Sequence, residues 1–306
     1  MGARLLCLPG APIPLCVAAI ISGHWQSAIP LLSSDIGECM DMSLRNAKNL
    51  HGFKIHVIDG ELGIADQLYF DDEVWTIRYL IVKTGGWLSG RSVLLSPISI
   101  LDVDWDAEVV NVSLTKEQVK GSPDIDLQRP VSRQHESGYL GYYGYPNYWI
   151  GPYLWGPAYA PSDLAGPLAA SLGDEKAKSH SGDSHLRSTQ AVRGYEIQTN
   201  DGELGHVKGF IIDDFTWAIR YIEVSTGYWW PGKNVLVAPA WIKRVSWAAS
   251  KVYVNLTREV IQSGPEYLEA VPITREYEDR LYLHYAKQSY WADEAESDSY
   301  YVLTGR

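Results

Sequence analysis

Two arginines set inside otherwise apolar strands are the residues of this 306-residue chain best placed to do chemistry. Arg78 stands in Trp75-x-Ile77-Arg78-Tyr79, and Arg220 in Trp217-x-Ile219-Arg220-Tyr221. Period-two alternation puts each arginine on the strand face opposite its Ile and Tyr neighbours. A guanidinium fork suits a carboxylate, which leaves two readings. One is an internal ion pair with the nearby acids Asp71-Asp72 or Asp213-Asp214, and the other is a contact to a partner's carboxylate. Trp87, Trp229 and Trp230 sit in Gly-rich connections, where a large aromatic is costly unless it covers something. Tyr148 and Trp149 belong to an aromatic run from Tyr139 to Tyr159, laced with Gly and Pro. Tyr and Trp dominate binding hot spots, so these residues join Arg78 and Arg220 as partner-binding candidates.

The remaining polar residues do not form a catalytic constellation. None of the eight histidines makes a helical His-x-x-x-His pair. Cys7, Cys16 and Cys39 all precede the body of the chain, which argues against a structural zinc site or disulfides there. His180-Ser-Gly-Asp-Ser-His185 reads as a solvated loop. Asp59 and Asp201, each before a Gly, read as acceptors for turn backbone. The acid pairs Asp71-Asp72 and Asp213-Asp214, with Glu61 and Glu203, read as solvated turns rather than a cation site, since a calcium loop needs several alternating oxygen ligands. Dinucleotide, P-loop, nucleophile-elbow and zincin motifs are all missing. The expectation is therefore no catalytic residue, no metal and no cofactor. A net charge of −11 argues against direct binding to nucleic acid phosphates. Apolar content of 46% argues against disorder.

The elements that position these residues come in two copies at a constant offset. Asp59-Gly60-Glu61-Leu62-Gly63 recurs as Asp201-Gly202-Glu203-Leu204-Gly205, 142 residues later. The same offset carries Arg78-Tyr79 onto Arg220-Tyr221, Trp105 onto Trp247, Glu136 onto Glu278, and Tyr148-Trp149 onto Tyr290-Trp291. Each copy reads as five or six short strands, with Asp-Gly as the hairpin signal, and suggests a small closed or partly closed barrel. Thr115-Lys-Glu-Gln118 is a capping box opening a short helix; the second copy keeps Thr257 but has Val260 at the fourth place. Tyr277, Leu281 and Tyr285 share one face of a helix after Pro272. Its counterpart holds Gly138, Gly141 and Gly144, each costing about 1 kcal/mol against Ala, so a shorter or frayed helix is expected there.

The domain plan is then a leader over 1–43, a barrel over 44–126, an aromatic helical appendage over 127–149, a linker over 150–185, a second barrel over 186–268, and a second appendage with an acidic tail over 269–306. The leader reads as disordered or as a mis-assigned start, the true start being Met40 or Met42.

On Gly52 to Gly63, Asp71 to Tyr79 and Ser92 to Pro97, with their second copies, the chain resembles the PRC-barrel family. That family includes the cytoplasmic domain of the photosynthetic reaction centre H subunit and a ribosome maturation factor. The resemblance implies a mainly β fold of two small barrels in tandem, each followed by a short helical appendage. It also implies protein contacts rather than catalysis. The expected function is a cytoplasmic, non-enzymatic adaptor or assembly factor with a protein partner. The alternatives are a peripheral membrane component like the H subunit's soluble domain and a stress-related ligand- or ion-binding module.

Overall fold

A computed structural model describes residues 43–88, 90–123, 133–165, 185–227 and 232–292. The leader, Trp229 and Trp230, most of the polar run between the repeats and the acidic tail lie outside these residues. Strand β1 (Leu44–Asn46) comes first, followed by β2 (Lys54–Val57), β3 (Gly60–Asp71), β4 (Thr76–Thr84), β5 (Ser92–Leu95), β6 (Ile100–Asp104) and β7 (Val109–Val112). Helices α1 (Lys116–Lys120) and α2 (Arg133–Tyr143) close the first repeat. The second repeat runs through β8 (Leu186–Ser188), α3 (Thr189–Val192), β9 (Glu196–Thr199), β10 (Gly202–Asp213), β11 (Ile219–Ser225), β12 (Asn234–Val237), β13 (Ile242–Ser246) and β14 (Lys251–Val254). It ends in α4 (Arg258–Ser263) and α5 (Arg275–Tyr285).

The protein is mainly β and holds two seven-stranded sheets of mixed direction. One follows the order β5-β4-β3-β2-β7-β6 and the other β12-β11-β10-β9-β14-β13. These paths are open, which corrects the closed-barrel expectation. The 3-10 turn Pro97–Ser99, capped by the Ser96 side chain, redirects the chain between β5 and β6, and the two strands do not pair. Among the described residues the second sheet is open in the same way at Pro239–Trp241. Within each hairpin a glycine permits close passage. A Cβ on Gly63 would lie 2.1 Å from the Lys83 carbonyl oxygen, and one on Gly205 would lie 1.7 Å from that of Ser225.

Each sheet takes one strand from the other repeat. β1, at the start of the first repeat, pairs antiparallel with β10 of the second, Leu44 opposite Asp213 and Asn46 opposite Ile211. β8, at the start of the second repeat, pairs with β3 of the first, Leu186 opposite Asp71 and Ser188 opposite Tyr69. The two registers are identical at the 142-residue offset. A second reciprocal link joins the loops before β4 and β11. Ile77 N–H donates to the Trp217 carbonyl at 2.8 Å, and Ile219 N–H to that of Trp75 at 2.7 Å. Both tryptophans adopt left-handed backbone, φ 53° and 62°. Such a conformation is costly for a bulky residue and persists where surrounding bonds over-determine it. The two repeats thus share one core, with Phe70 of the first against Phe210 of the second at 5.6 Å.

The loop before β11 is built around Asp213, which is buried rather than in a solvated turn. Its carboxylate accepts from the Phe215 and Thr216 amides (3.0 and 3.1 Å), from the Thr216 hydroxyl and from Arg220. Asp71 is buried likewise and accepts from the Glu73 amide at 3.0 Å. The second acid of each pair ties the exchanged strand: Arg187 Nε donates to Asp72 at 2.8 Å, and Arg45 Nε to Asp214 at 3.5 Å. The sequence reading missed the ties of Asp72 and Asp214 because Arg187 and Arg45 lie over a hundred residues away from them.

The segment 150–165, read in sequence as the start of a linker, packs into the core through Trp155, Ala160 and Leu164. Helix α2 is as long as α5, against the expectation of a frayed first copy. Its glycines meet open space, while Tyr139 and Leu140 are buried and the Tyr139 hydroxyl donates to the Leu94 carbonyl. Tertiary packing offsets the glycine cost. The capping box at Thr115 and Gln118 forms as expected, and Asp59 and Asp201 accept from the first amides of the helices that follow, Lys116 and Arg258, at 2.8 Å each.

Replacing Asp213 by Ala strands a buried guanidinium and two turn amides, and should cost about 3–5 kcal/mol of stability. Denaturant unfolding checks this; a loss below about 1 kcal/mol would mean that the turn does not depend on the carboxylate.

Candidate functional site

Arg78 and Arg220 occupy equivalent places and make internal contacts. Arg220 Nη2 lies 2.9 Å from Asp213 Oδ2, and Arg78 Nε lies 3.9 Å from Asp71 Oδ2. The ion-pair reading of the arginines therefore describes their geometry. The rest of each environment comes from the helix and the aromatic residues behind it. In the first repeat the Tyr79 hydroxyl donates to Glu136 Oε1 at 3.1 Å, and the Tyr148 hydroxyl donates to the same oxygen. In the second, Tyr221 and Tyr290 donate to Glu278 Oε1 at 2.6 and 3.2 Å. Each arginine lies against the later tyrosine, Arg78 at 3.9 Å from the Tyr148 ring and Arg220 at 4.0 Å from the Tyr290 ring. The sequence offset thus encodes a repeated Arg–Tyr–Glu–Tyr network rather than isolated residues.

The two networks are completed differently. In the first, His185 Nε2 sits 2.9 Å from Glu136 Oε2, and the Trp155 ring lies 4.6 Å from Arg78. Trp155 is buried, and its indole N–H donates to the Thr216 carbonyl of the second repeat at 2.8 Å. His185 is therefore a buried partner of a carboxylate, which corrects its reading as part of a solvated loop. In the second network Arg275 takes the place of the histidine, 3.0 Å from Glu278 Oε2 and 4.0 Å from the Trp291 ring.

Burial sets the electrostatics. Desolvation pulls the Arg78 guanidinium below its ordinary value, opposed by Tyr148, Asp71 and Glu136. It pushes Tyr79 well above its usual range, with Glu136 adding to the effect. Desolvation also raises the Glu278 carboxyl, opposed by the Tyr221 hydrogen bond and by Arg275. Arg78 and Tyr148 are buried, Trp149 is half-buried against Tyr148, and the Trp87 backbone lies in the 3-10 turn Gly86–Leu88. Among the described residues no three His, Cys, Asp or Glu side chains converge to hold a metal ion.

Two of the surface grooves at the seams between the repeats correspond to one another at the 142-residue offset, and the sequence reading did not find them. One, of about 340 Å³, is walled by Ile242, Val245 and Trp247 of the second repeat and by Asp72 and Trp75 of the first. The other, of about 300 Å³, is walled by Ile100, Val103 and Trp105 of the first repeat and by Asp214 and Trp217 of the second. All five of these wall positions match at the 142-residue offset. The exchanged strands brace both grooves: Arg187 stacks at 4.4 Å from the Trp247 ring, and Arg45 at 5.1 Å from that of Trp105. Their guanidinium groups engage Asp72 and Asp214, so the floor charges are balanced. The rims differ: where the first repeat has Leu101 and Asp102, the second has Lys243 and Arg244, all exposed. Between the two rims the charge reverses at Asp102 and its equivalent Arg244.

No protein-family model matches the chain, and no curated protein is similar to it.

The raised Glu278 carboxyl gives a signed prediction. Because its folded value exceeds the unfolded one, of about 4.3, its contribution to stability is full below that unfolded value and is lost as pH rises through the folded one. The melting temperature of the wild type relative to Glu278→Gln should therefore rise as pH falls from neutral toward about 5. A gap that stays constant, or that narrows in favour of the variant, would contradict the assignment.

Proposed function

We propose that the chain is a non-enzymatic docking module of the tandem PRC-barrel kind, with two protein-binding faces held at a fixed relation. The sequence resemblance over both repeats supports that family reading, with the barrel-type units and helical appendages it implies. The carrying observation is the pair of seam grooves. They share one framework of Trp, Ile and Val positions, yet present opposite rim charges, so one scaffold offers two chemically distinct faces. Two sites on one rigid body can bridge two partners, or engage one bivalently at high effective concentration.

The network of Arg78, Glu136 and Tyr148, with its second copy, has a supporting role in this reading: it anchors helix and sheet of each repeat. A partner-facing guanidinium would have to be accessible, and Arg78 is only 2% exposed. Partner recognition is therefore assigned to the groove rims. No described helix is long and apolar enough to cross a membrane. A cytoplasmic adaptor remains the proposed setting.

A C-terminally tagged chain in its native host should sediment above its monomer size at moderate salt and carry stoichiometric protein partners. Arg244→Gln and Asp102→Asn should each deplete a different part of that set while leaving the melting temperature within about 1 °C of wild type. Recovery of identical partners with both variants, or of none with the wild type, would remove the two-faced docking reading.

A further inference from the structure

The rims belong to strands whose outer edges are open. β6 ends the first sheet and β13 the second, and among the described residues neither has a ladder partner on its outer side. An open edge is a template for pairing with another chain, and charge is a common means of controlling that pairing. Here the charges are unlike. The β6–β7 hairpin exposes Asp102, Asp104, Asp106 and Glu108. At the matching places the second repeat has Arg244, Ser246, Ala248 and Ser250, with Lys243 replacing Leu101. Lys251, beside that hairpin, is already held by Glu196 and Glu203 at 2.9 and 2.8 Å. The cations offered outward are Lys243 and Arg244, the latter with its guanidinium over the Tyr253 ring at 3.5 Å.

We propose that the basic edge β13 of one molecule docks the acidic edge β6 of a second copy, so that the chain self-associates head to tail. This deepens the docking-module reading and rests on it, naming a second copy as one partner. Like charge disfavours β6 against β6 and β13 against β13, which leaves the unlike pairing. Like charges directly opposite across a ladder destabilise it, and unlike ones support it. Antiparallel pairing in the register that sets Asp102 opposite Arg244 brings the acidic β6 edge beside the basic β13 edge, and carries Leu101, 65% exposed in the monomer, toward the second molecule. The contact joins two different surfaces, so it is heterologous and propagates as a ring or an open chain. The net charge of −11 opposes association, but screening over about 8 Å at physiological salt weakens body-to-body repulsion more than contact pairs.

Sedimentation velocity of the full chain tests this, across a micromolar concentration series at physiological ionic strength. Two double variants each neutralise one edge: Lys243→Gln with Arg244→Gln, and Asp102→Asn with Asp104→Asn. The Asn at 104 preserves an acceptor for the Asp106 and Ala107 amides that the aspartate now caps. Wild type should form concentration-dependent oligomers, and each variant alone should sediment as a monomer with an unchanged circular dichroism spectrum. An equimolar mixture of the two should give a one-to-one dimer and nothing larger, since each member then has one competent edge. A monomeric wild type, variants that oligomerise like wild type, or a mixture without heterodimer would each overturn the proposal. If self-association fails while Arg244→Gln still depletes co-purifying proteins, the docking reading stands without it; if both fail, both fall.

Discussion

Each sheet of this protein is incomplete until the other repeat supplies a strand, and that constraint organises everything else. Strand β1 serves β10 and β8 serves β3, in identical registers, so neither repeat owns its full ladder. The buried carboxylates Asp71 and Asp213 stand where the exchanged strands begin, and each holds the loop that hands its neighbour's backbone across the seam. The duplication is therefore two units interlocked by their own hydrogen bonds, with the left-handed Trp75 and Trp217 as the strained points of contact.

From that interlock follow both the rigidity and the surface. The Arg–Tyr–Glu–Tyr networks pin each late helix to its sheet, and the first is additionally tied across the seam by Trp155 and His185. A buried charge of this kind is retained at a desolvation cost, which only close partners offset. The grooves arise where the exchanged strands meet the far repeat, and the arginines that brace them, Arg45 and Arg187, also complete the exchange. Architecture and candidate binding surface thus share the same residues, while the rim positions 101, 102, 243 and 244 stay outside the core and are free to diverge.

Much of the architecture was legible in the sequence because it is local. The strands follow alternation, the Asp-Gly turns and the Thr115 cap follow side-chain chemistry, and the constant offset announces the duplication. What was not legible is what distance hides. Leu186-Arg187-Ser188 is a three-residue strand with no pattern of its own, and its partners are over a hundred residues earlier. The acid pairs carry no local sign of burial, and Gly and Pro between 150 and 165 suggest a linker although Trp155 is wholly buried. Glycines in α2 misled for the same reason: propensity was outweighed by packing at Tyr139 and Leu140. For the site, the paired arginines were visible, whereas each groove joins residues more than a hundred positions apart.

The central claim is that the two repeats form one cooperative unit through strand exchange. Native-state hydrogen exchange, resolved at residues 69–71 and 211–213, addresses it most directly when wild type is compared with Leu80→Ala, a core truncation confined to the first repeat. Such a truncation costs about 2–5 kcal/mol. Interlocked repeats predict that protection falls equally at both stretches, with a single unfolding transition. A loss confined to 69–71, with 211–213 unchanged, would mean that the repeats unfold independently and would contradict the account.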